Sequence, residues 1–194
     1  MEYGAFASFA FVASITPGPN NLMLWADGLN FGFRRTIPHL VGITVGFVSL
    51  LLAVSLGLGT LFETVAWVAP TLRVVGSAYL LYLAYRIATS ASVEQSRVGR
   101  PFTFVEAAAF QCLNPKAWLM TIAGAGTFIP PEQPLLKSTL LFTGFFGAVV
   151  VPSIVLWAAG GTVLSRLLSD PRRRMIVNVA LALVLVCVVY RINT

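Results

Sequence analysis

Six apolar runs divided by short polar stretches set the pattern of this chain: 4–26, 38–61, 70–88, 104–128, 137–165 and 175–190. A helix needs roughly 20 mostly apolar residues to cross a bilayer, so each run is read as one transmembrane helix. The third run has a charge-free centre, 74–85, that is too short to cross alone. Arg73 and Arg86 are therefore placed in its end turns, stems along the helix and heads at the surface. The fifth holds 28 uncharged residues from 138 to 165, more than one hydrocarbon thickness, and is expected to tilt or to kink at Pro152. Between the runs lie a loop at 27–36 with Arg34-Arg35, a short loop at 63–70, and a polar stretch at 91–102 with Glu94, Gln95, Arg97 and Arg100. Two Pro-rich turns follow, Pro130-Pro131-Glu132-Gln133-Pro134 and Asp170-Pro171-Arg172-Arg173-Arg174.

Two of the runs are interrupted. The first carries Thr16-Pro17-Gly18-Pro19-Asn20-Asn21 near its middle, the fourth Asn114-Pro115-Lys116. Proline lacks an N–H, clashes with the preceding turn and pushes the residue before it out of the helical region. A break in mid-membrane is tolerated only where the freed backbone groups find partners. Both breaks are followed by Leu-Met, at Leu22-Met23 and Leu119-Met120, and the third and sixth runs end Tyr85-Arg86-Ile87 and Tyr190-Arg191-Ile192. Shifts of 97 to 105 residues superpose these features. Three spans per half force the halves into opposite orientations. The predicted fold is an all-α integral membrane protein of six transmembrane helices in a 3+3 inverted repeat, helices one and four broken mid-membrane. Residues 1–90 form the first three-helix repeat, 91–103 a polar cytoplasmic linker and 104–194 the second repeat, in one membrane domain.

Composition agrees: 57% hydrophobic, 10% charged, mean hydropathy +0.84. The net charge of +6 and pI near 9.9 would suggest nucleic acid in a soluble protein. Here the basic residues sit in loops, where they orient the protein, and no nucleic-acid partner is expected. Arg34, Arg35, Arg86, Arg97, Arg100, Arg166 and Arg172 to Arg174 lie on one side, against Arg73, Lys137 and Arg191 on the other. Odd-numbered loops are thus predicted to be cytoplasmic and both termini outside. No Lys or Arg precedes the first run and Glu2 has the wrong sign, so no cleaved signal is expected. Cys112 and Cys187 lack metal or disulfide spacing and read as small buried apolar residues.

The half-helix that begins after Pro17-Gly18-Pro19 has N–H groups without intrahelical partners. They carry partial positive charge and suit a carboxylate. Thr16, Asn20 and Asn21 add neutral hydrogen-bonding groups. The alternative is a kink that only serves packing. Lys116, an ammonium at mid-bilayer, must face a polar cavity or a partner. It either holds a substrate carboxylate or changes protonation, or it binds the carbonyls freed by the first break. Asn114 is predicted to cap the half-helix that starts at Pro115. Asp27 reads equally as a solvated loop residue or a site residue, Glu106 as a surface carboxylate, and His39, the sole histidine, as interfacial rather than a proton relay. Trp25 and Trp67 fit interfacial anchors and Trp118 core packing. Gly42 and Gly46 form a GxxxG pair that serves either a homodimer or packing within the chain.

The two motifs, Thr16-Pro17-Gly18-Pro19-Asn20 and Asn114-Pro115-Lys116-Ala117, with Gly32, Arg34 and Arg35 between them, resemble the LysE/RhtB family of amino-acid exporters over essentially the whole chain. The resemblance implies export of an amino acid or close derivative from the bacterial cytoplasm across the inner membrane by proton antiport. Carried over, it places substrate binding at Thr16, Pro17, Gly18, Pro19, Asn20, Asn114, Pro115 and Lys116, and Asn21 adjoins them. Proton coupling is left to Lys116, Asp27, His39, Glu106 or the substrate itself. Many members carry an aromatic-rich run ending Pro-Gln-Phe after the second motif, where this chain has Gly124, Gly126 and Pro130-Pro131. The partners implied are the amino acid, protons and the lipid bilayer, with no cofactor and no metal. Export of a cation is disfavoured because no Cys, His or carboxylate cluster offers ligands. One histidine, no HExxH and no GxSxG argue against an enzyme. A structural membrane subunit remains as a further alternative.

Overall fold

The computed structural model describes residues 3–60, 64–90, 100–130, 134–168 and 170–194. Most of the predicted linker, 91–99, and the centre of the Pro-rich turn, 131–133, lie outside the described residues. Among the described residues there are eight α-helices and no strand: α1 (Tyr3–Ile15), α2 (Pro19–Phe31), α3 (Phe33–Ser55), α4 (Val68–Thr89), α5 (Phe104–Leu113), α6 (Pro115–Phe128), α7 (Leu135–Leu167) and α8 (Pro171–Asn193). The expectation of an all-helical membrane protein holds. α3, α7 and α8 are each long and apolar enough to cross a membrane.

Local chemistry sets the helix ends. Thr103 accepts from the Glu106 N–H while the Glu106 carboxylate accepts from the Thr103 N–H, a capping box that starts α5. Asp170 accepts from the Arg172 N–H at 2.9 Å, with Pro171 in the first turn of α8. Arg174 reaches back to donate to the carbonyls of Leu168 (2.7 Å) and Ser165 (2.8 Å), which closes the end of α7. α7 runs through Pro152 without interruption for 33 residues, about 50 Å at the usual rise.

The predicted loop at 27–36 is not a loop. α2 continues to Phe31 and α3 starts at Phe33, with only Gly32 between them at φ +79, a conformation that costs glycine little. Arg34 and Arg35 ride on the first turn of α3.

α2 is the centre of the molecule, with nine of its 13 residues buried. Leu24 joins a cluster made with α1, α3, α5, α6 and α7, in which Phe6 stacks on Phe128, Phe142 and Phe145 at 4.8, 5.1 and 4.9 Å. Leu22, Met23 and Ala26 join a second cluster with α4, α5 and α8. Against lipid, helices associate by close packing rather than by the hydrophobic effect, and small residues allow it. A Cβ at Gly28 would collide with the Ala158 carbonyl, and one at Gly161 with the Trp25 carbonyl. Gly42 and Gly46 face the backbone of α5 at Phe104 and Ala108 in the same way. The GxxxG pair is thus used inside the chain, which removes it as the basis for a homodimer.

Three further expectations are corrected. Trp25 is no interfacial anchor: it packs on Gly160 and meets Trp157 edge-on at 5.7 Å. Cys112 and Cys187 are free thiols on the exposed surface, because they fall on the outer faces of α5 and α8. Asp27 and His39 are not peripheral but 3% and 0% exposed.

The tight α2–α7 crossing predicts a steric asymmetry. Gly28→Ala and Gly161→Ala are each expected to destabilise the protein by about 1–3 kcal/mol, seen as a lower unfolding midpoint in detergent. Gly144→Ala, where a Cβ meets nothing within 4 Å, is expected to leave the midpoint unchanged or raise it. Equal effects at the three positions would contradict the crossing.

Candidate functional site

The break after α1 frees carbonyls that no helical N–H reaches. Each finds a partner. The Val12 carbonyl accepts from the Thr16 N–H (3.2 Å) and that of Ala13 from the Thr16 hydroxyl (3.1 Å). The Asn21 side-chain amide donates to the carbonyls of Ser14 (2.8 Å) and Thr16 (2.9 Å). The Trp157 indole N–H, from α7, donates to Ile15 (3.2 Å). Lys116 Nζ, from the first turn of α6, donates to the Thr16 carbonyl (2.7 Å) and hydroxyl oxygen (3.0 Å). The two breaks therefore touch. Their contact is tight: a Cβ on Gly18 would lie 2.8 Å from Lys116 Cδ.

The two half-helices that begin at the breaks differ. Asn114 caps α6, its side-chain oxygen accepting from the Lys116 N–H at 3.1 Å, as predicted. Gly18, at the head of α2, offers no side-chain cap. The N–H groups of Asn20 and Asn21 thus form an open helix N-terminus beside an ammonium. An ammonium has three donors, and Lys116 directs its bonds to the two oxygens of Thr16. Both features present positive potential to the same space.

That space is a cleft of about 390 Å³, its open mouth included. Its polar wall is Ser14, Gly18, Asn20, Asn21, Asn114 and Lys116; its apolar wall includes Ile43 and Phe47 of α3, Met120 of α6, and Val150 and Ile154 of α7. Of the predicted site residues, Gly18, Asn20, Asn21, Asn114 and Lys116 line the cleft. Thr16, Pro17, Pro19 and Pro115 do not; they shape the breaks instead.

Asn20 is partly committed elsewhere. Its amide pairs reciprocally with that of Gln111 on α5, at 2.8 and 3.2 Å. Gln111, wholly buried, also donates to the Ala107 carbonyl at 2.9 Å. It escaped the sequence reading, although an amide three residues before Asn114 in an apolar run is a visible signal. The other candidates form a second polar group around the start of α5. His39 Nδ1 lies 2.9 Å from Asp27 Oδ2, which also accepts from the Phe102 N–H at 2.9 Å. Glu106 is no simple surface carboxylate: Arg86 (3.1 Å) and Arg100 (2.7 Å) both bind it, and it caps Thr103. Trp118, half-buried, donates its indole N–H to the Cys112 carbonyl at 2.9 Å, serving the second break as Trp157 serves the first. No group of three or more metal-ligating side chains occurs among the described residues.

Comparison with known proteins shows the family. The family described as LysE type translocator matches residues 11–192. The chain is 29% identical over 191 residues to a protein of Escherichia coli K12 named cysteine/O-acetylserine efflux protein, covering 97% of this chain and 95% of that one. Identically named proteins of Shigella flexneri (29% identical) and Escherichia coli O139:H28 (28%) match over the same shares of both chains. No solved structure matches.

The partner list at the first break predicts a stability effect. Asn21→Leu strands the Ser14 carbonyl in apolar surroundings and is expected to cost about 1–3 kcal/mol, read as a lowered unfolding midpoint in detergent. An unchanged midpoint would show that the Asn21 amide does not hold the break.

Proposed function

From the premise that this chain belongs to the LysE type translocator family, and is a transporter rather than an enzyme, we propose that it exports a small amino acid with an uncharged side chain, or an O-acylated derivative, in exchange for protons. The observation that carries the substrate reading is the open N-terminus of α2 set beside the Lys116 ammonium in one cleft. A carboxylate there gains backbone donors and a counter-charge together. The remaining wall is apolar and carries no acid, so a cationic side chain would lie among Ile43, Phe47 and Met120 next to another cation. Short neutral side chains suit that wall, in keeping with the names of the relatives, which refer to cysteine and O-acetylserine.

The architecture proposed is six spans, with α1–α2 and α5–α6 as the broken ones, in two oppositely oriented repeats at 1–90 and 104–194. The packing supports it. The first broken span lies on α7 and the second on α3, α3 lies on α7, and α4 on α8. Exchanging the halves maps this set of contacts onto itself. In such transporters the interrupted helices mark the substrate site. The basic side, with Arg34, Arg35 and Arg172 to Arg174, faces the cytoplasm of a bacterial cell, and both termini lie outside.

Proteoliposomes loaded with labelled cysteine, O-acetylserine and a panel of other amino acids, under an imposed pH gradient, test the proposal. Wild-type protein is expected to move the small neutral ones faster than empty liposomes do. Lys116→Ala is expected to lower transport about ten-fold or more, the worth of a charge-assisted bond to a carboxylate. Lys137→Ala, at an exposed surface position, is expected to retain it. No amino acid moving above background, or equal loss in the two variants, would contradict the reading.

A further inference from the structure

We propose that the buried Asp27–His39 pair is the proton-binding group of this transporter; the inference rests on the reading of export in exchange for protons. Asp27, on α2, and His39, on α3, are 3% and 0% exposed and lie 2.9 Å apart. One carboxylate oxygen, Oδ2, receives both the imidazole Nδ1 and the Phe102 N–H. With the Nδ1 proton facing the carboxylate, Nε2 is the nitrogen with the lone pair, and Nε2 is buried without a hydrogen-bond partner.

Charge decides what that vacancy does. Neutral imidazole beside carboxylate leaves a net charge of −1 buried. A proton from water added to Nε2 gives imidazolium–carboxylate with net charge zero, and no other bond changes. Buried ions are tolerated when paired and are costly when not, so the pair has one vacancy whose filling removes an uncompensated charge. Release of that proton restores the starting state.

The other candidates are less free. Glu106 is bound by Arg86, Arg100 and the N–H and hydroxyl of Thr103. Both of its oxygens already accept bonds. Lys116 is bonded to Thr16. The charged groups around the pair are few. From α4, Arg86 lies over the Phe102 ring at 4.1 Å, and that same ring is 5.1 Å from the imidazole. Arg100 and Glu106 lie beyond it, joined to each other. On α3, Arg34 and Arg35 are exposed in the first turn. α7, packed on α2 and α3, brings Arg166 only at its end. α8 brings Arg172 and Arg173, which are exposed, and Arg174, which is bonded to the end of α7.

The pair also sits where proton and substrate can act on the same helices. Asp27 lies seven residues beyond Asn20 on α2, about 10 Å along the axis. His39 lies one turn before Ile43 and two before Phe47, both in the cleft wall. Through the Phe102 N–H the pair holds the chain entering α5, whose Gln111 holds Asn20.

Because His39 is the only histidine, the test is direct. Protein carrying isotope-labelled histidine, purified on a histidine-free tag, is followed by NMR from about pH 5 to about pH 9. The imidazole is expected to pass between an Nδ1-protonated neutral form and imidazolium. Asp27→Asn, which keeps an acceptor for Phe102, is expected to change the tautomer of the neutral imidazole, because the carboxylate that faces Nδ1 is gone. In proteoliposomes, Asp27→Asn and His39→Gln are expected to lower gradient-driven transport of labelled cysteine about ten-fold or more relative to its exchange between equal pools. An imidazole fixed in one state over the whole range, or variants that respond to the gradient as wild type does, would overturn the proposal. So would variants that lose exchange and driven transport in equal measure. If His39 titrates as described but the unaltered protein exchanges no amino acid, the export reading fails and the proton site stands.

Discussion

A broken helix in an apolar environment has carbonyls that water cannot reach, and the rest of this structure depends on how they are met. A peptide carbonyl left without a partner in such surroundings costs on the order of several kcal/mol. Here the carbonyls at the end of α1 are met by side chains from three other helices: Asn21 from α2, Trp157 from α7 and Lys116 from α6. The break is thereby a tertiary joint. It ties α1 and α2 to α6 and α7, and it fixes the position of the cleft between them.

The donors of the same break are treated differently. Asn114 caps α6 from its own side chain, yet Gly18 offers α2 no side-chain cap. Acceptors are satisfied and donors are left open, so the joint keeps a surplus of positive potential on the cleft side. Lys116 adds to it. One ammonium thus serves packing through the Thr16 oxygens while its charge faces the cleft. Of the two roles posed as alternatives in the sequence, the clamp on a freed carbonyl is the one its bonds to Thr16 show, and the substrate-facing role is the one proposed above. The tight fit of Gly18 against the lysine stem explains why glycine stands between the two prolines: a side chain there would displace the ammonium.

Much of the fold was legible because hydropathy and proline act locally. The six apolar runs and the two interruptions are properties of contiguous residues, and helix ends fall near them. Where the reading failed, partners distant in sequence decide. The stretch 27–36 looks like a loop because it carries Asp27, Asn30 and two arginines. It is helical because Asp27 meets His39 and Phe102, and Asn30 pairs with Asn178 on α8. Asp27 looked solvated and His39 interfacial for the same reason: each is polar near the end of an apolar run, and only the folded arrangement shows that they face each other. The GxxxG pair was legible as a packing feature, but not as to the surface it packs on, and Trp25 read as an interfacial anchor because its partner Gly160 is distant in sequence. At the cleft, the helix breaks were readable from the prolines, while the commitment of Asn20 to Gln111, and of Asn21 to the carbonyls, was not.

The central claim is that the open head of α2 and Lys116 recognise a carboxylate. It is tested most directly by competition in proteoliposomes between labelled cysteine and two unlabelled compounds, cysteine itself and its carboxamide. The carboxamide keeps the amine, the side chain and the shape but removes the charge. It is expected to compete about ten-fold or more weakly than cysteine, the difference a charged acceptor makes at such donors. Equal competition by the two compounds would contradict the claim.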